Sequence, residues 1–380
     1  MVKAGLAFGT VLGLVVTGLG LNASALAASS NSSTNLTTAP VYTDLVVKPG
    51  GTISTNLQVQ NNANKPVTVG IKLKEFNALG NSGQPHIYAP AAGDLAVEWV
   101  SFSKNNFVAQ PGVWNNITMT ISVPSYAAFG YYYAVLFTPV VNVNITTPDT
   151  NKVEGSNAIL VLVNANAPGE KQQLSITGFK STQGLYEYLP ATFNINIKND
   201  GNVFVVPSGD IYISRTKSGP VIDTLNVNPG GGNVLPASQR NFTVTWNNGF
   251  PVYQTKRVNG QTVTNKKGQA EQSLSWNISK LGSFRIGHYY ARYVIIYSNG
   301  TRDIPVSGQI SFWVMPWTII IVGLVLAILL VVPSSAITVL VYKKRKQSKS
   351  YMLLFICVTL VTLLIYIGLL YVIFYLGRNL

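Results

Sequence analysis

Two apolar runs without a single charged residue, 318–342 and 351–376, constrain this chain more than any other feature. Each is long enough to cross the ~30 Å hydrocarbon layer of a bilayer as a helix. Between them stands Lys343-Lys344-Arg345-Lys346-Gln347-Ser348-Lys349. A short basic connector between two spans stays cytoplasmic, so Lys343, Lys344, Arg345, Lys346 and Lys349 set the topology. Residues before 317 and the last four residues then lie outside. Trp313 and Trp317 stand at the outer end of the first run, where indole rings favour the interface. Pro333, beside Ser334 and Ser335, is positioned to kink it. Residues 351–376 show no polar face, which disfavours a helix lying in the membrane plane. The N-terminus agrees with this topology. Lys3 precedes an apolar stretch over 4–21, and Ala25-Leu26-Ala27 offers a small-x-small cleavage site, so 1–28 reads as a secretory signal peptide. An uncleaved signal anchor is the competing reading.

The external region, 29–316, carries 20 basic and 13 acidic residues, part of a net charge of +14 for the chain. A nucleic-acid binder would gather that charge on one surface or arm. Here the tight cluster is the membrane connector, and no nucleic-acid partner is expected. The one cysteine, Cys357, lies in the second apolar run, so the external region has neither a disulfide nor a cysteine zinc site and must be held by core burial.

Between signal and membrane the pattern is of strands. Runs at 41–47, 52–61, 66–76, 95–102, 114–123, 131–141 and 158–164 are divided by turn clusters such as Pro49-Gly50-Gly51 and Pro111-Gly112. Ile117-Thr118-Met119-Thr120-Ile121 alternates as a strand with one buried face does. A second set follows at 174–179, 191–198, 209–214, 221–227, 241–246, 273–278, 289–297 and 309–314, after the linker-like stretch 164–170. Residues 249–270, polar and rich in lysine, read as a long hairpin or loop. The fold class expected is therefore all-β: two tandem immunoglobulin-like β-sandwich domains at 41–166 and 167–316, after a flexible lead-in at 29–40. A C-terminal transmembrane helical hairpin follows, with helices at 317–342 and 351–376 joined by the cytoplasmic connector 343–350.

Catalytic signals are absent. His86 and His288 are isolated, with no metal-ligand spacing. No nucleophile elbow appears, and Cys357 suits packing within an apolar run. Asp94 and Glu98, at i and i+4, would stand ~13 Å apart on a strand, beyond the usual separation of paired glycosidase carboxylates unless a bend shortens it. They read as solvated charges near a strand start. Gly230-Gly231-Gly232 lacks the lysine of a phosphate loop. No catalytic residue, metal or cofactor is expected. The aromatic residues Trp99, Trp114, Tyr186 and Tyr188 are the candidates for ligand binding. In Tyr131-Tyr132-Tyr133 alternate rings must face opposite ways. Seven Asn-x-Ser/Thr sites follow the signal, at Asn31, Asn35, Asn116, Asn144, Asn241, Asn277 and Asn299, and leave glycosylation open.

The order of parts resembles the WxL-interacting proteins of bacterial surfaces. Lys48-Pro49-Gly50-Gly51, followed by Leu57-Gln58-Val59-Gln60-Asn61, is similar to that family's Pro-Gly and V-x-N strand. Asp94-Leu95 with Trp99-Val100 resembles its middle strand. Gln110-Pro111-Gly112, Ile121-Ser122-Val123-Pro124 and Gly130 resemble its close. The second domain matches in position and class only, and the second apolar run departs from the family's single span. The resemblance implies peptidoglycan binding by the first domain and protein partners for the second, without catalysis. The function expected is thus a non-enzymatic, membrane-anchored cell-surface protein that binds cell-wall polymer or a surface protein, and touches lipid through two spans. The alternative is an accessory subunit of a membrane complex assembled through the hairpin.

Overall fold

The computed structural model describes residues 35–140, 156–344 and ten residues between 353 and 371. The signal region, the sequons at Asn31 and Asn144, and Arg345, Lys346 and Lys349 lie outside the described residues. The chain is mostly β. Its first ten strands are β1 (Leu36–Ala39), β2 (Tyr42–Val47), β3 (Thr52–Asn61), β4 (Val67–Leu79), β5 (Gln84–Tyr88), β6 (Val100–Phe102), β7 (Asn106–Ala109), β8 (Trp114–Ser122), β9 (Phe129–Pro139) and β10 (Asn157–Ala165). They form two sheets, β1-β3-β8-β6 and β2-β10-β9-β4-β5, with β7 also on β4. Alternation decides what is buried. Ile117, Met119 and Ile121 of β8 turn inward with Leu57 and Val59 of β3, against Val135, Phe137, Ile159 and Val161 of the facing sheet.

The second unit repeats the scheme with β11 (Leu174–Ser181), β12 (Leu185–Tyr186), β13 (Ala191–Asn199), β14 (Ser208–Ser214), β15 (Val221–Asn226), β16 (Gln239–Trp246), β17 (Val252–Thr255), β18 (Arg257–Val258), β19 (Gln261–Thr262), β20 (Gln272–Ser275), β21 (Gly287–Ser298) and β22 (Asp303–Val314). A three-stranded sheet, β11-β13-β16, and a five-stranded one, β12-β22-β21-β14-β15, enclose Phe193, Ile195, Trp246, Tyr289 and Phe312. The polar stretch after 249 forms two small ribbons, β17-β20 and β18-β19.

In each unit a fully buried asparagine stands at the end of a central strand, Asn61 of β3 and Asn199 of β13. Asn61 donates through Nδ2 to the carbonyls of Lys65 (2.8 Å) and Ala109 (3.0 Å), and its Oδ1 accepts from the amide of Ala63 (2.9 Å). Asn199 donates to Val203 and Val234 (both 2.8 Å) and accepts from Gly201 (2.8 Å). The same amide lock closes the same turn twice, although the two domains share no clear sequence repeat. It also gives the V-x-N motif of β3 a structural reason, since Asn61 holds a turn together.

Several expectations need correction. The flexible lead-in contains β1, because Leu36 is buried in the core and β1 pairs antiparallel with β3. The strand expected at 95–102 begins as a 3-10 turn, Leu95–Trp99; Asp94 caps it by accepting from the amide of Ala96, and only Val100–Phe102 is extended. Residues 84–88, which hold His86 and lie outside the strands expected, form β5, paired with β4.

β22 ends two residues before α1 (Trp317–Lys344), a helix of 28 residues. Among the described residues no helix is long and apolar enough to cross a membrane. The sequence of α1 carries no charged residue from Thr318 to Tyr342. Pro333 lies inside the helix. The ten described residues between 353 and 371 are all helical. Tyr366 lies against α1, its hydroxyl donating to the carbonyl of Ile320 (3.3 Å), and a Cβ on Gly323 would meet its ring at 3.3 Å.

Candidate binding site between the domains

The run 158–163 in β10 is continuously apolar. A strand covered on one face alternates, whereas one covered on both reads this way. Ile159, Val161 and Val163 fill the first core. Leu160 and Leu162 point to the other side, with Tyr132, Ala134 and Leu136 of β9 and Phe76 of β4. Leu235 and Phe204 of the second domain cover them, so a third apolar cluster spans the two domains. Polar contacts ring it. The hydroxyl of Tyr42 donates to the Gly231 carbonyl (3.3 Å), Asn233 Nδ2 donates to Asp44 Oδ1 (3.3 Å), and the amide of Asn241 donates to the Asn81 carbonyl (2.8 Å).

Beside this cluster lies a cavity of about 290 Å³, lined from both domains by Tyr42, Phe76, Leu162, Asn233, Leu235 and Arg240 among others. Its size is at the lower limit of small-molecule pockets. It fits one side chain or one substituent of a larger partner. Arg240 is half-buried; it donates to the Asn233 carbonyl (2.9 Å) and lies over the Phe242 ring. Burial pushes its pKa down from the ordinary guanidinium value. Among the described residues the ion pairs are Lys198–Asp200 and Lys256–Glu271, so Arg240 has no carboxylate partner. Gly83, at φ +75°, lies so close that a Cβ would sit 2.3 Å from Arg240 Nε. Asn233 Oδ1 is buried without a hydrogen-bond partner. The cavity therefore offers guanidinium donors and one unused carbonyl acceptor.

The sequence candidates are scattered. Trp99 is half-buried on the first domain, its ring edge-on to Tyr131 (4.8 Å) and Tyr126 (6.3 Å). Tyr126 is exposed, and these rings make an aromatic ledge. Glu75 and Asp94 lie near Tyr133. Burial, then the neighbouring Asp94, raises the Glu75 carboxyl above its ordinary pKa. Trp114 is exposed at the start of β8, and no ring contact joins it to the ledge. Tyr186 is buried and closes its own loop: its hydroxyl donates to the Thr192 carbonyl and accepts from the Thr192 and Gln183 amides. Tyr188 is buried against Tyr253. Both tyrosines in the second domain thus serve packing. Of the expected topology residues, Lys343 and Lys344 end α1. Arg240 and Asn233 carry no local motif. The usable signal was the continuous apolar run in β10, which announces a covered second face.

No family model matches the chain, and no curated protein matches it. Among solved structures it is similar to the class 5 fimbriae chaperone CfaA, at 19% identity over 63% of this chain and 99% of that one, with a TM-score of 0.33. The YadV chaperone is 12% identical over 73% of this chain and 100% of its own, with a TM-score of 0.30. The PapD-like domain 7 of human CEP192 is 12% identical over 42% and 97%, with a TM-score of 0.23. Similarity this low assigns no function.

Proposed function

We propose that the chain is a non-enzymatic surface protein, held in the membrane by a C-terminal helical hairpin, whose immunoglobulin-like domains bind a wall polymer or a surface protein. The observation that carries the anchoring is α1. Ile321, Val322, Leu324, Val325, Leu326, Ile328 and Leu329 are all exposed, although consecutive positions step right round a helix. A helix that is apolar on every side needs lipid or other helices around it. The contact of Tyr366 with Ile320 and Gly323 favours a second helix returning beside the first.

Binding is assigned to the interdomain cavity. A group that accepts from Arg240 and donates to Asn233 Oδ1 satisfies both, and an amide on a small apolar substituent does this. Such amides occur as N-acetyl groups or peptide stems of wall polymers and in protein side chains. The aromatic ledge at Trp99 and Tyr126 can carry neighbouring sugar faces. This reading gains from the resemblance of the first domain to wall-binding domains.

The test is co-sedimentation of the detergent-solubilised full chain with isolated cell-wall sacculi across a salt series. Binding that survives salt and drops in Arg240→Gln and in Trp99→Ala supports the polymer reading. Absence of sedimentation in every condition removes the polymer and leaves the protein partner, to be sought by cross-linking at the cavity.

A further inference from the structure

The excursion at 249–286 in the second domain leaves large apolar side chains largely in water, Trp276 resting edge-on against Phe250 (5.8 Å). Trp276 is 56% exposed, Ile278 76% and Leu281 54%. Ile278 and Leu281 belong to a 3-10 turn, Ile278–Ser283, which buries none of its residues. A small exposed turn made of such residues is costly in water unless something covers it.

Its place in the fold says what that is. The turn ends four residues before β21 begins at Gly287, and Gly287 pairs with Val314, the last strand residue before α1. The excursion is also tied directly to the start of that helix. Glu187 accepts from the hydroxyl of Tyr253, in β17, and from the hydroxyl of Thr318, in the first turn of α1. Val252 of β17 is in register with Ser275, the residue before Trp276. Trp276 and the 3-10 turn therefore stand at the end of the domain from which α1 leaves. Trp313 and Trp317, both exposed, stand at the same end. The charge agrees. Residues 249–286 hold Lys256, Arg257, Lys266, Lys267, Lys280 and Arg285 against one acid, Glu271. Basic residues beside apolar ones at a membrane surface are drawn to anionic headgroups, and the apolar ones enter the interface.

We propose that the 249–286 excursion is a second membrane contact, seating Trp276, Ile278 and Leu281 in the interface of an anionic bilayer while its lysines and Arg257 meet the headgroups. The contact rests on the reading of α1 as a span. It fixes the tilt of the domain and the height at which the interdomain cavity is presented.

The experiment uses the full chain with Cys357→Ser, reconstituted in phosphatidylcholine–phosphatidylglycerol vesicles. Nitroxide labels are placed in turn at Ile278→Cys, Leu281→Cys, Leu326→Cys on α1 and Val108→Cys on the first domain. Collision with oxygen and with a water-soluble nickel chelate reads each environment. The expected result is that labels at 278 and 281 favour oxygen, as at 326, while 108 favours nickel. Replacing phosphatidylglycerol by phosphatidylcholine, or adding salt, shifts 278 and 281 towards nickel and leaves 326 unchanged. Labels at 278 and 281 that behave like 108, while 326 reports lipid, overturn the contact and spare the anchor. Labels at 278 and 281 shielded from both reagents overturn it in favour of a protein cover. A nickel-accessible label at 326 sinks the anchor, and the contact with it.

Discussion

Asn199→Ala tests the claim that one amide locks the turn of the second domain. The substitution deletes two donated hydrogen bonds and one accepted bond, all at 2.8 Å. The three partners are not equal. The Val234 carbonyl keeps a second bond, from the amide of Val205 (3.1 Å), so it loses only an ordinary hydrogen bond of about 1 kcal/mol. The Val203 carbonyl and the Gly201 amide lose their side-chain partner, at about 1–3 kcal/mol each if water does not reach them. The expected loss is about 3–7 kcal/mol, a large share of the ~5–15 kcal/mol that stabilises a domain. Urea unfolding of the full chain in detergent, followed by tryptophan fluorescence, reports it through Trp246 in the second core. With a slope of roughly 1–3 kcal/mol per molar urea, the second-domain midpoint falls by about 1 M or more. Asn61→Ala should do the same to the first domain and leave the second in place. Asn116→Ala, where only the exposed bond from Gln58 is lost, should change the midpoint little. A loss under about 1 kcal/mol in both Asn61→Ala and Asn199→Ala would refute the lock. Equal losses in both domains from either variant would refute the independence of the two turns.

Tyr133→Phe removes the bond its buried hydroxyl makes to the Ala96 carbonyl (2.9 Å) and should cost about 1–2 kcal/mol by urea unfolding. Tyr132→Phe should be neutral or stabilising by the same measure. Its buried hydroxyl lies near the Phe204 backbone, but no hydrogen bond of acceptable geometry joins them. Glu75→Gln should raise first-domain stability at pH 7 and leave it nearly unchanged below pH 4, as followed by thermal unfolding against pH. Because the folded pKa of Glu75 is raised above its ordinary 4.5, stability is fully present below that value and is lost as pH rises through the folded pKa. Gly83→Ala places a methyl against Arg240 and asks for φ +75° from a residue that resists it. It should loosen the domain contact, seen as a wider distance distribution between spin labels on the two domains.

The sequence made the cores legible wherever one face of a strand is wet. Ile117, Met119 and Ile121 alternate with Thr118 and Thr120, and the burial follows that pattern. Short edge strands escaped. β7 and β12 lack a pattern long enough to register, and a neighbouring strand supplies their order. The 3-10 turn at Leu95–Trp99 looked extended because its apolar residues suit a strand; a cap from Asp94 and a bond from Tyr133, 37 residues away, decide otherwise. The interdomain cavity escaped for a related reason. Arg240 and Asn233 are joined within the second domain, but they line a cavity only when β16 and its preceding loop meet the β4–β5 hairpin, and no local spacing encodes that meeting.

The join between β22 and α1 has a mechanical consequence. If the first domain holds the wall while α1 holds the membrane, tension enters the second domain along β22, at the Val314 end. β22 is paired with β21 over twelve residues, from Asp303–Ser298 to Val314–Gly287, and with β12 on its other side. A pull along the strand loads these cross-strand hydrogen bonds in shear, all together, instead of peeling them one by one. Two residues, Met315 and Pro316, separate strand from helix, so little slack precedes the load. Placing the longest ladder of the domain in line with its anchor suits it to bear stretch between wall and membrane.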